Sequence, residues 1–319
     1  MRLLVTGATG HVGSAIVRQA ADAGMSVVAV HRGARDPATT PRVTWVRCEL
    51  TDAGAVRALT EEHGVGACIH AAAVSNEAYA KPAPLAAIAS NVGATANLLE
   101  AARTAGWRRF VLVSTGSVFQ RVTDTTRPIL EDQPPAPANV YGTTKLGAEL
   151  MTQMYRTVYG LSASTVRISW VYGPPIITDE ATRGPIPSYL LRALRGVAIR
   201  EGGAEFAASF TYVDDAAAGL IAAASAPALN AATYHLGHGV NFTARQAADA
   251  VRRAVPGAVI ELSAGTEPWT RYTSLRGPLA GDLLHADTGY APTHSLDAGV
   301  AAYADWMRAH PALWRTGGT

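Results

Sequence analysis

Tyr141-Gly142-Thr143-Thr144-Lys145 places a phenol and an ammonium four residues apart, a spacing that puts both on one face of a helix. A phenol with a pKa near about 10 is a poor base at neutral pH, but neighbouring cations favour its ionised form. Upstream, Ser114-Thr115-Gly116-Ser117 closes an apolar, β-branched run. A hydroxyl at the C-terminal edge of such a strand is placed to hold a reacting oxygen beside Tyr141. The chemistry this predicts is proton transfer at an oxygen. A Tyr and a Lys four apart occur in many helices, so the pair takes its meaning from the rest of the chain.

That context begins at the N-terminus. Gly7-Ala8-Thr9-Gly10-His11-Val12-Gly13 follows a short apolar run and opens an amphipathic stretch. Glycines there allow a tight turn and a close backbone approach to a pyrophosphate seated on a helix N-terminus. The spacing is G-x-x-G-x-x-G, and a purely structural turn is the alternative. The second apolar run ends Val30-His31-Arg32-Gly33, with no carboxylate and with Arg35 close behind. An acidic residue there would bind the ribose hydroxyl of NAD, whereas a guanidinium suits the 2′-phosphate of NADP. The expectation is NADP(H) in preference to NAD(H), with a solvated loop arginine as the bland alternative.

Elements that position these groups alternate along the first half. Residues 3–6, 26–31, 43–46, 67–70, 110–114 and 164–169 read as strands, and 12–23, 53–62, 85–105 and 141–159 as helices. Repeated strand–helix–strand units predict an α/β fold, a doubly wound parallel Rossmann sheet. After Gly173-Pro174-Pro175 the pattern loosens into shorter, proline-punctuated elements, with a further Ala-rich helix over 213–224. Residues 1–170 are expected to form the dinucleotide-binding unit, with 206–236 returning to it. Residues 171–319 then form mainly a smaller α/β substrate lobe.

The 319 residues carry 48% hydrophobic and 16% charged side chains and a net charge of +2. Such a chain buries a core, which excludes global disorder, and nothing in its charge points to nucleic acid or an anionic membrane. Cys48 and Cys68 make no disulfide framework and fit a reducing compartment. The start of the chain has no targeting segment and no run spans a bilayer, so a cytoplasmic protein is expected. No metal site is expected. His70 ends an apolar strand and reads as a core histidine.

In order along the chain, Gly7/Gly10/Gly13, Ile69-His70-Ala71-Ala72-Ala73, Asn91-Val92-Gly93-Ala94-Thr95, Ser114-Thr115, Tyr141/Lys145 and Val171-Tyr172-Gly173-Pro174 resemble the extended short-chain dehydrogenase/reductase superfamily, the group of NAD-dependent epimerases and dehydratases. Phe210-Thr211-Tyr212-Val213-Asp214-Asp215 and Gly289-Tyr290-Ala291-Pro292 continue the match. The resemblance implies Tyr141 as general acid/base, Lys145 on the nicotinamide ribose and tuning that phenol, and Thr115 on the substrate oxygen. It also implies a cofactor lined by Gly7, Thr9, Gly10, His11, Val12, Gly13, His31 and Arg32. Glu49 and Leu50 fall near the adenine, Ala71, Ala72 and Ala73 pass under the cofactor, and Asn91 fixes the cofactor loop or serves structure alone. Candidate substrate contacts are Ser75, Ser117, Trp170, Arg271 and Arg276. Family members often pair through the helix carrying the tyrosine, and a homodimer through Met151, Met154 and Tyr155 is compatible with that.

Two departures bear on substrate. Family dehydratases carry an acidic residue two positions after the threonine, where this chain has Ser117, so elimination lacks its proton carrier. Nucleotide-sugar epimerases carry Arg-Asp before the Phe210 segment, where this chain has Ala208-Ser209, and Trp170 replaces their substrate-binding asparagine. Arg183, Arg271 or Arg276 could replace that cation. The reading reached is an NADP(H)-dependent oxidoreductase interconverting a secondary alcohol and a carbonyl on a small molecule. An NAD-dependent nucleotide-sugar epimerase is the alternative, and a non-catalytic nucleotide sensor the third.

Overall fold

The computed structural model describes residues 2–33 and 40–315. Arg35, considered above for a 2′-phosphate, lies outside the described residues. Seven strands form one sheet: β1 (Arg2–Thr6), β2 (Ser26–His31), β3 (Val43–Arg47), β4 (Val65–His70), β5 (Arg109–Thr115), β6 (Ala163–Ile168) and β7 (Thr233–Leu236). Their spatial order is β7-β6-β5-β4-β1-β2-β3, and every pairing is parallel. The chain winds outward from β1 to β3, then returns to start again at β4. The crevice at that reversal, outside the carboxyl ends of β1 and β4, is where such sheets bind ligands.

Strand side chains alternate faces, and both faces are covered. Leu3, Val5, Val27, Ala29 and Ile69 pack with helices α1 (His11–Asp22) and α6 (Val213–Ser225). Leu4, Val28, Cys68, Phe110 and Leu112 pack with α2 (Ala53–His63), α3 (Ala94–Thr104) and α4 (Val140–Tyr159). Small residues of α6, including Ala216, Ala217 and Gly219, are buried there. Near-continuous apolar strands are what two covered faces require.

Helix starts follow their caps. The Asp52 carboxylate accepts the Gly54 and Ala55 N–H groups at the start of α2, and Asn139 accepts the Gly142 N–H at the start of α4. α4 ends at Gly160 in a left-handed conformation. The helix expected over 85–105 is interrupted. It runs as Pro84–Ile88, a wider π turn at Ala89–Gly93, and then α3. Within the wide turn the Asn91 side chain bonds the Val74 main chain and Thr144, an aim that a regular turn would change.

Beyond residue 171 come α5 (Pro185–Leu194), α7 (Ala244–Ala254) and α8 (Leu296–Ala309), with three two-stranded ribbons. Tyr189, Phe206, Trp269 and Tyr303 are buried among them, in the same apolar cluster as the α1 face of the sheet. Cys48 and Cys68 are free thiols, both buried. No described helix is long and apolar enough to cross a membrane.

Candidate active site

β1 ends at Thr6 and the chain turns through Gly7, whose φ is 64°. A Cβ at Gly7 would lie 2.8 Å from the Ala72 nitrogen, and one at Gly13 would lie 2.1 Å from the Gly7 carbonyl oxygen. Both positions therefore exclude a side chain. The Gly10 N–H donates to the Gly7 oxygen at 2.8 Å and closes the turn. Gly10 caps α1 without a side-chain bond, and the first turn holds no acidic residue. The amides that begin the helix, unpaired within it, line a cavity of about 690 Å³ with Gly7, Thr9, His11, Val12 and Gly13. A cradle of backbone N–H groups at a helix N-terminus, with no carboxylate beside it, fits a dinucleotide pyrophosphate.

A buried polar chain joins this cradle to the next loop. The Ala72 N–H donates to Thr6 Oγ1 at 3.1 Å, and Thr6 Oγ1 lies 2.7 Å from His70 Nδ1. His70 Nε2 lies 3.1 Å from Thr95 Oγ1, which donates to the Asn91 carbonyl at 2.7 Å. With both ring nitrogens engaged and burial drawing its pKa down to about 3, His70 is a neutral structural histidine. Asn91 Oδ1 accepts the Val74 N–H at 2.8 Å, and Asn91 Nδ2 donates to Thr144 Oγ1 at 2.9 Å. Thr144 donates in turn to the Tyr141 carbonyl at 2.9 Å. Asn91 is not in the cavity wall. It fixes the loop of Ala71, Ala72, Ala73 and Ser75, which is.

At the far end of the cavity lie His31, Arg32, Glu49 and Leu50. The Thr51 N–H and hydroxyl, at 3.2 and 3.0 Å, and after them the charge of Arg32, hold the Glu49 carboxyl below its usual range. The guanidinium that follows β2 thus lies within electrostatic reach of a carboxylate that follows β3. Reading along β2 alone does not show that partner.

The reactive end is built from β5 and α4. The Ser117 N–H donates to Thr115 Oγ1 at 3.1 Å, and the Thr115 hydroxyl is close enough to the Tyr141 phenol to favour its ionised form. Burial raises the Tyr141 pKa, while Thr115, Arg183 and Arg276 act to lower it. The sequence pairs Tyr141 with Lys145, yet the cations acting on the phenol here are two arginines from beyond residue 171. Lys145 lines the same cavity. Its ammonium, drawn down to about 8 by burial and supported by Glu149, acts on His70.

Behind Lys145, the Glu149 carboxylate takes a bond from Ser114 Oγ at 2.5 Å and a forked pair from Arg167 on β6, the shortest at 2.7 Å. That buried ion pair ties α4 to the ends of β5 and β6. The start of α4 is held by Glu77, whose Oε2 accepts the Tyr141 N–H at 2.9 Å.

Ser117, Trp170 and Arg276 join Ser75 in the cavity wall. Trp170 has a left-handed φ of 39° and packs edge-on against Phe206 at 5.1 Å, so the ring serves both the core and the cavity. Arg271 does not reach the site. It is exposed, with its guanidinium 5.6 Å from the centre of the Tyr272 ring. Glu77 and the contact of Arg276 with Gly116 were outside the sequence reading, because neither sits in a periodic element or a motif.

A glycine cradle on β1, small residues after β4, a threonine ending β5 and a Tyr/Lys helix face now surround one cavity. The family model described as NAD dependent epimerase/dehydratase family matches residues 3–237. The chain belongs to that family. A dTDP-glucose 4,6-dehydratase from Streptomyces antibioticus is 28% identical to this family member over 338 residues, covering 98% of this chain and 94% of its own. A UDP-glucose 4-epimerase from Mycolicibacterium smegmatis is 29% identical, covering 97% of this chain and 99% of its own. Among solved structures, the UDP-glucose 4-epimerase of Thermus thermophilus in complex with NAD superposes with a TM-score of 0.83 at 26% identity, covering 97% and 99% of the two chains. This member of the NAD-dependent epimerase/dehydratase family is an enzyme of the extended short-chain dehydrogenase/reductase type.

Proposed function

We propose that this enzyme epimerises the sugar of a sugar nucleotide, with NAD held through the cycle. The observation that carries the reading is the pair Arg183 and Arg276. Both line the cavity, both act on Tyr141, and neither has a carboxylate partner among the described residues. A neutral alcohol would leave these cations uncompensated, whereas a sugar nucleotide brings the negative charge they suit. They also answer the arginine missing before Phe210, which had counted against this reading. The net alcohol–carbonyl oxidoreductase expected above explains them less well.

Of the two activities carried by the relatives, dehydration wants a second acid beside the threonine. Gly116 and Ser117 supply none. NAD is favoured over NADP because a 2′-phosphate beside Arg32 would also meet Glu49.

When bound, the nicotinamide would supply the hydride acceptor and donor at the reacting carbon. The chain's own residues do the rest. Tyr141 takes the proton from the substrate hydroxyl and returns it, and the Thr115 hydroxyl holds the same oxygen. Arg183 and Arg276 favour the phenolate that burial disfavours. Trp170 and the small residues 71–73 shape the space in which the sugar turns.

Pairing of two copies through α4 is part of the proposal. Met151 and Tyr155, expected on that face, pack against the core instead, while Leu150 and Val158 expose apolar side chains, and Val158→Asp should shift a dimer to monomer in sedimentation velocity. The test of function is mass spectrometry of nucleotide released on denaturation, followed by incubation with sugar nucleotides. Near-stoichiometric NAD and an epimer formed without net reduced cofactor are expected. Bound NADP, or net oxidation of an alcohol, would overturn the proposal.

A further inference from the structure

Arg276 occupies a space that a side chain would otherwise fill. A Cβ on Gly116, the residue after Thr115, would lie 3.0 Å from Arg276 Nε and 3.3 Å from Nη2. The side chain is buried, only 7% exposed. Its Nη1 and Nη2 reach Thr273 Oγ1 and Ser169 Oγ, each at 3.3 Å. A guanidinium offers five N–H donors, so most of this fork has no partner among the described residues. Asn241 Nδ2 donates to the Arg276 carbonyl at 2.8 Å and holds the backbone in place.

Two carboxylates line the cavity among the described residues, and neither answers this charge. Glu49 is at the far end with Arg32, and Glu77 is bonded to the Tyr141 N–H. Burial draws the Arg276 pKa down to about 10, which leaves it cationic at neutral pH. A buried cation with open donors is disfavoured until an anion completes it.

We propose that Arg276 receives a carboxylate carried by the substrate beside the reacting carbon, so that the substrate is an acidic, uronate-type sugar derivative. This rests on the reading above, in which the substrate oxygen sits between Thr115 and Tyr141. In a sugar nucleotide the phosphates hang from the anomeric carbon. The exocyclic carbon neighbours the carbon that reacts on the opposite side of the ring. Gly116 directly follows Thr115, so the guanidinium seated on it meets the exocyclic group. Arg183, more exposed, acts on both Tyr141 and His11 and so stands between the phenol and the glycine loop, leaving Gly116 to Arg276. A planar fork matches a carboxylate in a way that an ammonium does not.

The test is calorimetric titration of the NAD-loaded protein with UDP-glucuronate, UDP-glucose and free glucuronate. It is repeated on Arg276→Met and Arg276→Lys, with retention of NAD as the control for folding. The wild type should prefer UDP-glucuronate over UDP-glucose by roughly 10- to 100-fold, the range for a hydrogen bond to a charged group. Arg276→Met should level the two, and Arg276→Lys should keep part of the preference. Equal wild-type affinities, with Arg276→Met weakening both nucleotides alike, would assign Arg276 to the phosphates. That would overturn the proposal and leave the sugar-nucleotide reading intact. Arg276-dependent binding of free glucuronate, with neither nucleotide bound, would uphold the carboxylate site and remove the nucleotide from the function. Should the variants fail to fold, the wild-type preference alone decides, and its absence refutes the proposal.

Discussion

Arg167→Met should be among the most damaging single changes outside the cavity. Arg167 and Glu149 are 4% and 6% exposed. The guanidinium bonds both carboxylate oxygens, at 3.0 and 3.2 Å from Nε and 2.7 Å from Nη2. It also lies 4.8 Å from the centre of the Phe119 ring. Methionine replaces much of the stem and removes the charge, leaving the Glu149 carboxylate with Ser114 as its hydrogen-bond donor. Breaking one side of a buried pair costs about 3–5 kcal/mol. At about 2 °C per kcal/mol for a chain of this size, the melting temperature should fall by roughly 6–10 °C.

The same loss should lower kcat more than it raises KM, because Ser114 adjoins Thr115 and Glu149 follows Lys145 by one helical turn. Urea and thermal unfolding of the single variants and of Arg167→Met/Glu149→Leu measure the pair directly. Removing both charges should recover most of the stability. A single-variant loss below about 1 kcal/mol, the range of exposed pairs, would refute the reasoning. So would a double variant that loses the sum of the two singles.

Other expectations follow from the same geometry. Tyr141→Phe should cut turnover by roughly 10²- to 10⁴-fold, the usual share of general acid–base catalysis. NAD should still be released from the denatured variant, and unchanged turnover would remove Tyr141 from its role. Gly13→Ala puts a methyl carbon 2.1 Å from the Gly7 oxygen. It should abolish dinucleotide binding in a fluorescence titration, whereas Gly24→Ala, which strains a left-handed φ of 81° past the other end of α1, should cost stability and leave binding alone. His70 and His235 are held near a pKa of about 3 by burial, against 6.5 unfolded. The unfolded chain binds more protons between those values, so stability should fall as pH drops from 6.5 towards 3. Replacing His70 with Gln should flatten that slope in acid unfolding curves. Lys145 loses its proton near pH 8 while its unfolded counterpart does so near 10.5. Stability should therefore rise with pH across that window, and any activity that needs the ammonium should decline above about 8.

Much of this architecture is legible along the chain because it is periodic. The strands through Leu4, Val28, Cys68 and Phe110 are continuous apolar runs, and the helices between them carry one apolar face. Residues at fixed short spacings were legible too, such as Gly7/Gly10/Gly13 and Tyr141/Lys145. What escaped are meetings between residues far apart in sequence. Arg276 comes to Gly116 across 160 positions from a stretch without periodicity, and Glu77 reaches the Tyr141 N–H from a four-residue helix. Arg32 reads as an isolated phosphate-binding cation until the fold brings Glu49, just past β3, within reach of its charge. Arg271 and Arg276 look equivalent in sequence, and only the fold turns one outward onto Tyr272 and the other into the cavity. Spacing assigns Lys145 to the phenol, but burial and Glu149 decide where its charge acts.

The π turn at Ala89–Gly93 makes chain length itself part of the site. Each helical residue turns the chain by about 100°. Deleting one residue from that turn would give a smoother, more regular helix and at the same time swing Asn91 away from Val74 and Thr144. The loop under the cofactor would lose its anchor, although no residue in contact with a ligand had been altered. A scan by substitution leaves this register intact at every step. The dependence would be found only by shortening or lengthening the chain, and an insertion after α3, in the exposed turn at Ala105-Gly106, should be tolerated where the same insertion inside the π turn is not.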